Sequence, residues 1–237
     1  VDNLSLDAPR GRLTGLIGPN GAGKTTTFNA CSGLLRPSTG RVLLFGADVT
    51  HVAPPARARL GLGRSFQRME LFDSLTVGQN VRLGREAAIA GRNPLRQLFS
   101  NAAQRQTIAA AVAEAIELCD LGPLAGRRAG SLSTGQRRLV ELARALAGDF
   151  RFLLLDEPSS GLDRTETAGF GRILRHVVEE RGTGILLVEH DMDLVMRVCD
   201  HIYVLDFGVL LFEGSPEAVQ HSDVVRAAYL GSEAAVV

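Results

Sequence analysis

Gly18-Pro19-Asn20-Gly21-Ala22-Gly23-Lys24-Thr25-Thr26 is the stretch on which the reading of this chain turns. An apolar run, Leu13 to Ile17, precedes it, and a segment that can be helical follows. The spacing G-x-x-x-x-G-K-[ST] belongs to a loop whose backbone N–H groups cradle phosphates. Its lysine reaches the β- and γ-oxygens, and its hydroxyl, here Thr25, holds Mg²⁺. Glycines suit such a loop because successive N–H groups turn inward through backbone angles that a Cβ obstructs. The following helix aims its unpaired N–H groups and positive dipole end at the same anion. Lys24 is also the one lysine among 26 lysine and arginine residues. A compact ammonium fits between two phosphates, where a planar guanidinium fork is too broad.

At 237 residues the chain suits one α/β domain, or a core with one inserted subdomain. Apolar residues make up 45% and charged residues 22%, the balance of a globular protein with an ample core. Formal net charge is zero, so there is no electrostatic footprint for nucleic acid. Apolar runs fall short of a membrane span, and no charged segment with an apolar stretch behind it opens the chain, so secretion is not expected. Cys31, Cys119 and Cys199 form no C-x-x-C pair and read as buried small hydrophobes in a reducing compartment. The five histidines show no ligand spacing. Val1 to Leu6 reads as a strand already under way, which suggests a trimmed N-terminus.

Further along, Pro9-Arg10-Gly11 marks a turn, Thr25 to Leu35 a helix, Arg41 to Phe45 a strand, and Pro54-Pro55 the start of a short helix. From Leu75 to about Ala147 strand signals vanish. Val112, Ile116 and Cys119 recur at helical spacing, as do Leu139, Leu142, Ala143 and Leu146. Strands return with Phe152 to Leu155, a continuous apolar run suited to a central parallel strand buried on both faces. A helix bearing Phe170, Ile173, Leu174 and Val177 follows, then the strand Ile185 to Val188 and a helix from Met192 to Cys199. Strands Ile202 to Leu205 and Val209 to Phe212 precede a helical tail, Pro216 to Leu230. The expected architecture is α/β, a mainly parallel sheet with an antiparallel portion and an inserted helical subdomain. Its division is 1–75 and 149–213 for the core, 76–148 for the helices and 214–237 for the tail.

Asp156 ends the buried strand, beside the place the phosphate loop must occupy in an open α/β sheet. A carboxylate there can hold Mg²⁺ through water. Glu157 next to it can orient or deprotonate an attacking water. Taken together, these motifs resemble the ATP-binding cassette ATPases. The phosphate loop and Leu153-Leu154-Leu155-Asp156-Glu157 match the Walker A and Walker B motifs, and Leu132-Ser133-Thr134-Gly135-Gln136 the signature motif, with Thr134 for the commoner Gly. Gln67 matches the Q-loop, Ser159-Ser160-Gly161-Leu162-Asp163 the D-loop, and His190 the switch histidine. Six motifs in the family's order cover essentially the whole chain.

The resemblance implies a head-to-tail dimer with two ATP molecules sandwiched between cassettes. Ser133, Gly135 and Gln136 of one cassette and Asp163 would meet the nucleotide, the helix end at Ser133 being a second anion site. Lys24, and Mg²⁺ held by Thr25, Gln67 and Asp156, would spread the γ-phosphoryl charge, with Glu157, His190 and Gln67 catalytic. The family also stacks adenine on an aromatic just upstream of the first strand. No aromatic precedes Phe28, so the expectation is weak ATP binding with poor base discrimination. Met69, Leu71 and Phe72 fit either ordinary core or the groove that receives a membrane subunit.

Within the family, Ser65-Phe66-Gln67-Arg68, Val188-Glu189-His190-Asp191-Met192 and the ending Val224 to Gly231 most resemble branched-chain amino acid importers. The lipopolysaccharide-export ATPase shares part of this pattern. The resemblance implies polytopic permease partners, a second ATPase subunit, an indirect solute-binding protein and a place on the cytoplasmic face of the membrane. A soluble non-transport cassette is the rival, though such chains usually carry paired cassettes or a coiled coil. A non-hydrolytic regulatory subunit is expected to lose Glu157 or Ser133, and both are present.

Overall fold

The computed structural model describes residues 1–64, 71–92 and 102–233. The phosphate loop lies between strand β1 (Leu13–Ile17), buried throughout, and helix α1 (Lys24–Ser32). A short hairpin, β2 (Leu43–Leu44) with β3 (Ala47–Asp48), follows, then α2 (Pro54–Arg59) and β4 (Leu62–Arg64). Three long helices come next: α3 (Val77–Arg92), α4 (Ala102–Leu118) and α5 (Thr134–Ala147). The chain then alternates β5 (Phe152–Asp156), α6 (Arg164–Arg181), β6 (Gly184–Val188) and α7 (Met192–Val198). It closes with β7 (His201–Asp206), β8 (Val209–Gly214), α8 (Pro216–His221) and α9 (Asp223–Glu233).

The main sheet runs β4-β5-β6-β1-β7-β8, parallel except for the antiparallel β7–β8 hairpin. Leu13 to Ile17, Phe152 to Asp156 and Gly184 to Val188 are buried on both faces, as unbroken apolar runs require. Alternate residues serve two cores. Leu16, Leu154 and Leu186 pack with Phe28 on one face, while Leu13, Leu153 and Ile185 pack with Leu174 and Val195 on the other. The second cluster continues without a break into Val81, Ala115 and Val140 of α3, α4 and α5. Among the described residues no helix is long and apolar enough to cross a membrane.

Three expectations change. Val1 to Leu6 forms no strand; its backbone meets the β7–β8 turn at one point, Asp2 N to Gly208 O at 2.7 Å, and builds no ladder. Arg41 to Phe45 contracts to Leu43–Leu44, because the chain reverses at Phe45 and Gly46, both with positive φ (51° and 83°). The helical tail is two helices. Ser222 turns extended (ψ 117°) to end α8, and its hydroxyl accepts from Val225 N at 3.4 Å to open α9.

Candidate active site

At the carboxyl ends of β1, β5 and β6 the sheet gathers Lys24, Asp156, Glu157 and His190. The phosphate loop begins at Gly18 (φ 149°), where an added Cβ would stand 2.1 Å from the carbonyl oxygen of Leu205 in β7. Only glycine fits there. Lys24 is buried and donates from Nζ to the carbonyls of Gly18 (2.6 Å) and Pro19 (3.0 Å), bracing the loop's entry. Burial holds its ammonium below the usual lysine value, and the nearby carboxylates of Glu157 and Asp156 oppose that shift. Asn20 and Gly21 are exposed, Ala22 is buried, and Thr25 and Thr26 stand exposed in the first turn of α1.

Asp156 is 2% exposed, with Arg64 Nη2 at 3.6 Å from Oδ2. Burial raises its carboxyl above the ordinary range; Arg64 pulls against that and Glu157 adds to it. Glu157 has φ 48°, a left-handed backbone that a non-glycine residue adopts at a cost, and its N–H is tied to Val188 O at 2.9 Å. This places Glu157 Oε1 2.7 Å from His190 Nε2. Thr25 and Asp156 offer the hard oxygen donors that Mg²⁺ takes. Among the described residues no cluster of three His, Cys, Asp or Glu side chains could hold a metal. Gln67, the third expected ligand, lies outside the described residues, as do Ser65, Phe66, Arg68 and Met69.

The signature segment sits apart, at the start of α5. Ser133 is the N-cap: its hydroxyl accepts from Gln136 N (3.2 Å) while the Gln136 side chain accepts from Ser133 N (3.1 Å). The helix thus starts at Thr134, directly after its cap. Ser133 Oγ also donates to Glu166 Oε1 at 3.4 Å, and a Cβ on Gly135 would fall 2.6 Å from that oxygen. Asp163 caps α6 by accepting from Thr165 and Glu166 N–H, both at 2.8 Å, and Glu166 completes the box. Gln136 and Asp163, expected to meet nucleotide, are therefore engaged as caps in this chain. Thr134 fits beside the D-loop, with its methyl 3.4 Å from where a Cβ on Gly161 would sit. A cleft of about 460 Å³ runs between α5 and α6, lined among others by Gln136, Leu139, Glu166 and Phe170.

Sequence reasoning passed over four residues. Glu189, 3% exposed, accepts from Ser159 N (2.8 Å) and His190 N (3.1 Å), fastening the D-loop to the histidine segment. Arg64 bonds Asn29 Oδ1 (2.8 Å) and Ser32 Oγ (2.7 Å) of α1 and lies over the Phe28 ring, joining that helix to Asp156. An arginine ending a buried strand was the available signal. Glu166 is the third. Tyr229 of α9 is the fourth: the Gly18 backbone hydrogen-bonds it, and burial pushes its hydroxyl up to about 12.

Fold and site together define a P-loop cassette: a glycine-rich loop and an acidic strand end on one sheet, with a capped helical unit attached. The chain belongs to the ABC transporter family, whose profile matches residues 1–160. A second profile, for branched-chain amino acid ATP-binding cassette transporters, matches residues 209–235. The high-affinity branched-chain amino acid transport ATP-binding protein BraF of Pseudomonas aeruginosa is 36% identical over 234 residues, 98% of this chain and 91% of that protein. The lipopolysaccharide export system ATP-binding protein LptB of Acidithiobacillus ferridurans is 36% identical over 233 residues, with the same two coverages. Among solved structures, the ADP conformation of MJ1267, an ATP-binding cassette of an ABC transporter, superposes with a TM-score of 0.82. It is 30% identical, covering 96% of this chain and 91% of that one.

Proposed function

We propose that this chain is the ATP-hydrolysing subunit of a membrane transporter, seated on the cytoplasmic face of the membrane against polytopic permease subunits. The observation that carries the reading is the convergence of Lys24, Asp156, Glu157 and His190 on the carboxyl edge of one sheet, with Glu157 already bonded to His190. Lys24 exchanges the Gly18 and Pro19 carbonyls for phosphate oxygens. Thr25, Asp156 and Gln67 would hold Mg²⁺, which would supply charge neutralisation to the phosphoryl group. Glu157 aligns water in line with the γ-phosphoryl. His190 keeps that carboxylate in place and senses the terminal phosphate.

The exposed N-terminus of α5 is the complementary anion site, and it serves the nucleotide of a second cassette in a head-to-tail pair. Residues 76–148 swing as a unit against the core, 1–75 and 149–213, when the pair closes. Branched-chain amino acids are the proposed cargo class, supported by the match over residues 209–235 and by BraF. Lipopolysaccharide export is the second reading, supported by equal identity to LptB. Cargo is chosen by the membrane and solute-binding partners.

Glu157→Gln tests the core of this reading. The variant is expected to bind ATP, lose turnover by about 10²–10³-fold and accumulate as a dimer in light scattering. Ordinary steady-state turnover in that variant counts against the assigned role. Copurification of the chain with a polytopic permease, followed by amino acid uptake in reconstituted vesicles, separates the importer from the exporter.

A further inference from the structure

In the β7–β8 hairpin Asp206 pairs with Val209, leaving Phe207 and Gly208 as a two-residue loop. Both have positive φ, 43° and 85°, the backbone of a type I′ turn. The first position of that turn favours Asn, Asp or Gly, because other side chains are strained there. Phe207 occupies it nonetheless. Its side chain is 91% exposed, the most exposed aromatic among the described residues. Backbone strain and bare apolar surface thus fall on one residue, whose ring is left almost wholly uncovered by the described residues. Such a combination points to a function outside the fold.

The turn is fastened to the phosphate loop. Gly208 N donates to Ala22 O at 3.1 Å, and Gly208 Cα lies 3.5 Å from where a Cβ on Gly23 would stand. The strand order β5-β6-β1-β7 then fixes a direction. Asp156, Glu157 and His190, which attend the terminal phosphoryl, follow β5 and β6 on one side of the loop. A nucleotide lying over the loop with its γ-end toward them sends its base to the opposite side, where β7 ends in Phe207.

From this we infer that Phe207 is a nucleobase-contacting residue, its ring stacking on the purine of the bound nucleoside triphosphate. The inference rests on the phosphate-loop reading above. Stacking tolerates any base, because every base has a π-face, so Phe207 contributes affinity more than choice between adenine and guanine.

The test uses the whole chain as wild type, Phe207→Asn and Phe207→Trp, titrated with ATP and with inorganic tripolyphosphate, each with Mg²⁺. Phe207→Asn is expected to weaken ATP binding about ten-fold, leave tripolyphosphate binding unchanged and raise the thermal midpoint, since Asn suits the turn. Phe207→Trp introduces the sole indole of a tryptophan-free chain. Its fluorescence is expected to be quenched by ATP and not by tripolyphosphate. Unchanged ATP affinity in Phe207→Asn, or equal losses for both ligands, overturns the base contact while the phosphate site stands. Wild type that binds neither ligand overturns the phosphate-site reading and this inference with it.

Discussion

Glu189 shows how a buried carboxylate sets its surroundings. It is enclosed between β6 and the D-loop, with a backbone donor on each oxygen, Ser159 N on one and His190 N on the other. Burial raises its pKa above the ordinary 4.5 in spite of those bonds. Across the window between the unfolded and the folded value, the native chain therefore holds more protons than the unfolded one. Stability must fall as pH rises from about 4.5 through the raised folded value, and level off above it. Glu189→Gln removes that dependence. It also gives up one acceptor, so its stability is expected to be lower and its pH profile flatter. Urea unfolding of both proteins from pH 4.5 to 7 measures this, and parallel profiles would remove Glu189 as the titrating group. The same residue bonds both Ser159 N and His190 N, and so links the D-loop to the segment whose ring meets Glu157.

Among the elements, the loop into α3 depends on one fully buried amide. Asn80 accepts from Phe72 N (2.9 Å) and donates to Phe72 O (3.1 Å) and Thr76 O (3.0 Å), folding residues 72–76 against the helix. Asn80→Leu removes those bonds and leaves Phe72 N without its acceptor, while Phe72 O and Thr76 O keep the N–H groups of Leu75 and Asn80. A loss of about 2 kcal/mol or more in unfolding free energy is expected, with ATP affinity kept. A loss below about 0.5 kcal/mol in urea titration would mean that the loop holds itself. Arg57 does comparable work for α1, donating to the last carbonyls, Ala30 O and Cys31 O, both at 2.7 Å. Neither residue stands out in the sequence, because their partners are backbone atoms that only the fold brings near. What could be read were the patterns set by local chemistry: the unbroken apolar runs of β5 and β6, the helical spacing of α5 and the glycine-rich loop. Val1 to Leu6 has a strand-like composition, yet a strand also needs a neighbour, and no local pattern supplies one. Glu157 was legible as a carboxylate next to Asp156, whereas its left-handed backbone and its bond to His190 depend on β6 lying alongside.

At the scale of the whole molecule, the three cysteines sample different parts of one packed interior. Cys31 lies at the end of α1 beside the Phe28 cluster, Cys119 beyond α4 in the helical unit, and Cys199 under the sheet at the end of α7. Burial pushes the Cys31 thiol up to about 11 and that of Cys199 to about 12, and raises Cys119 as well. The thiols are therefore protonated at pH 8 in the native chain; Cys31 keeps partial exposure, whereas Cys119 and Cys199 are buried and meet a disulfide reagent only when the structure opens. Cys119 and Cys199 belong to one apolar cluster that runs from α4 through α5 and α6 to the sheet. That continuity argues against independent melting of the helical unit, even though the proposed closure moves it as a body. Closure by rotation at a packed interface needs no loss of that core, whereas separate unfolding does. With single-cysteine variants in a urea series at pH 8, Cys119 and Cys199 are expected to become reactive at the same midpoint. Labelling of Cys119 at distinctly lower urea would instead make residues 76–148 a separate unit of stability. The swing would then draw on local unfolding, and ATP, held at the phosphate loop of the core, would be expected to raise the Cys199 midpoint alone.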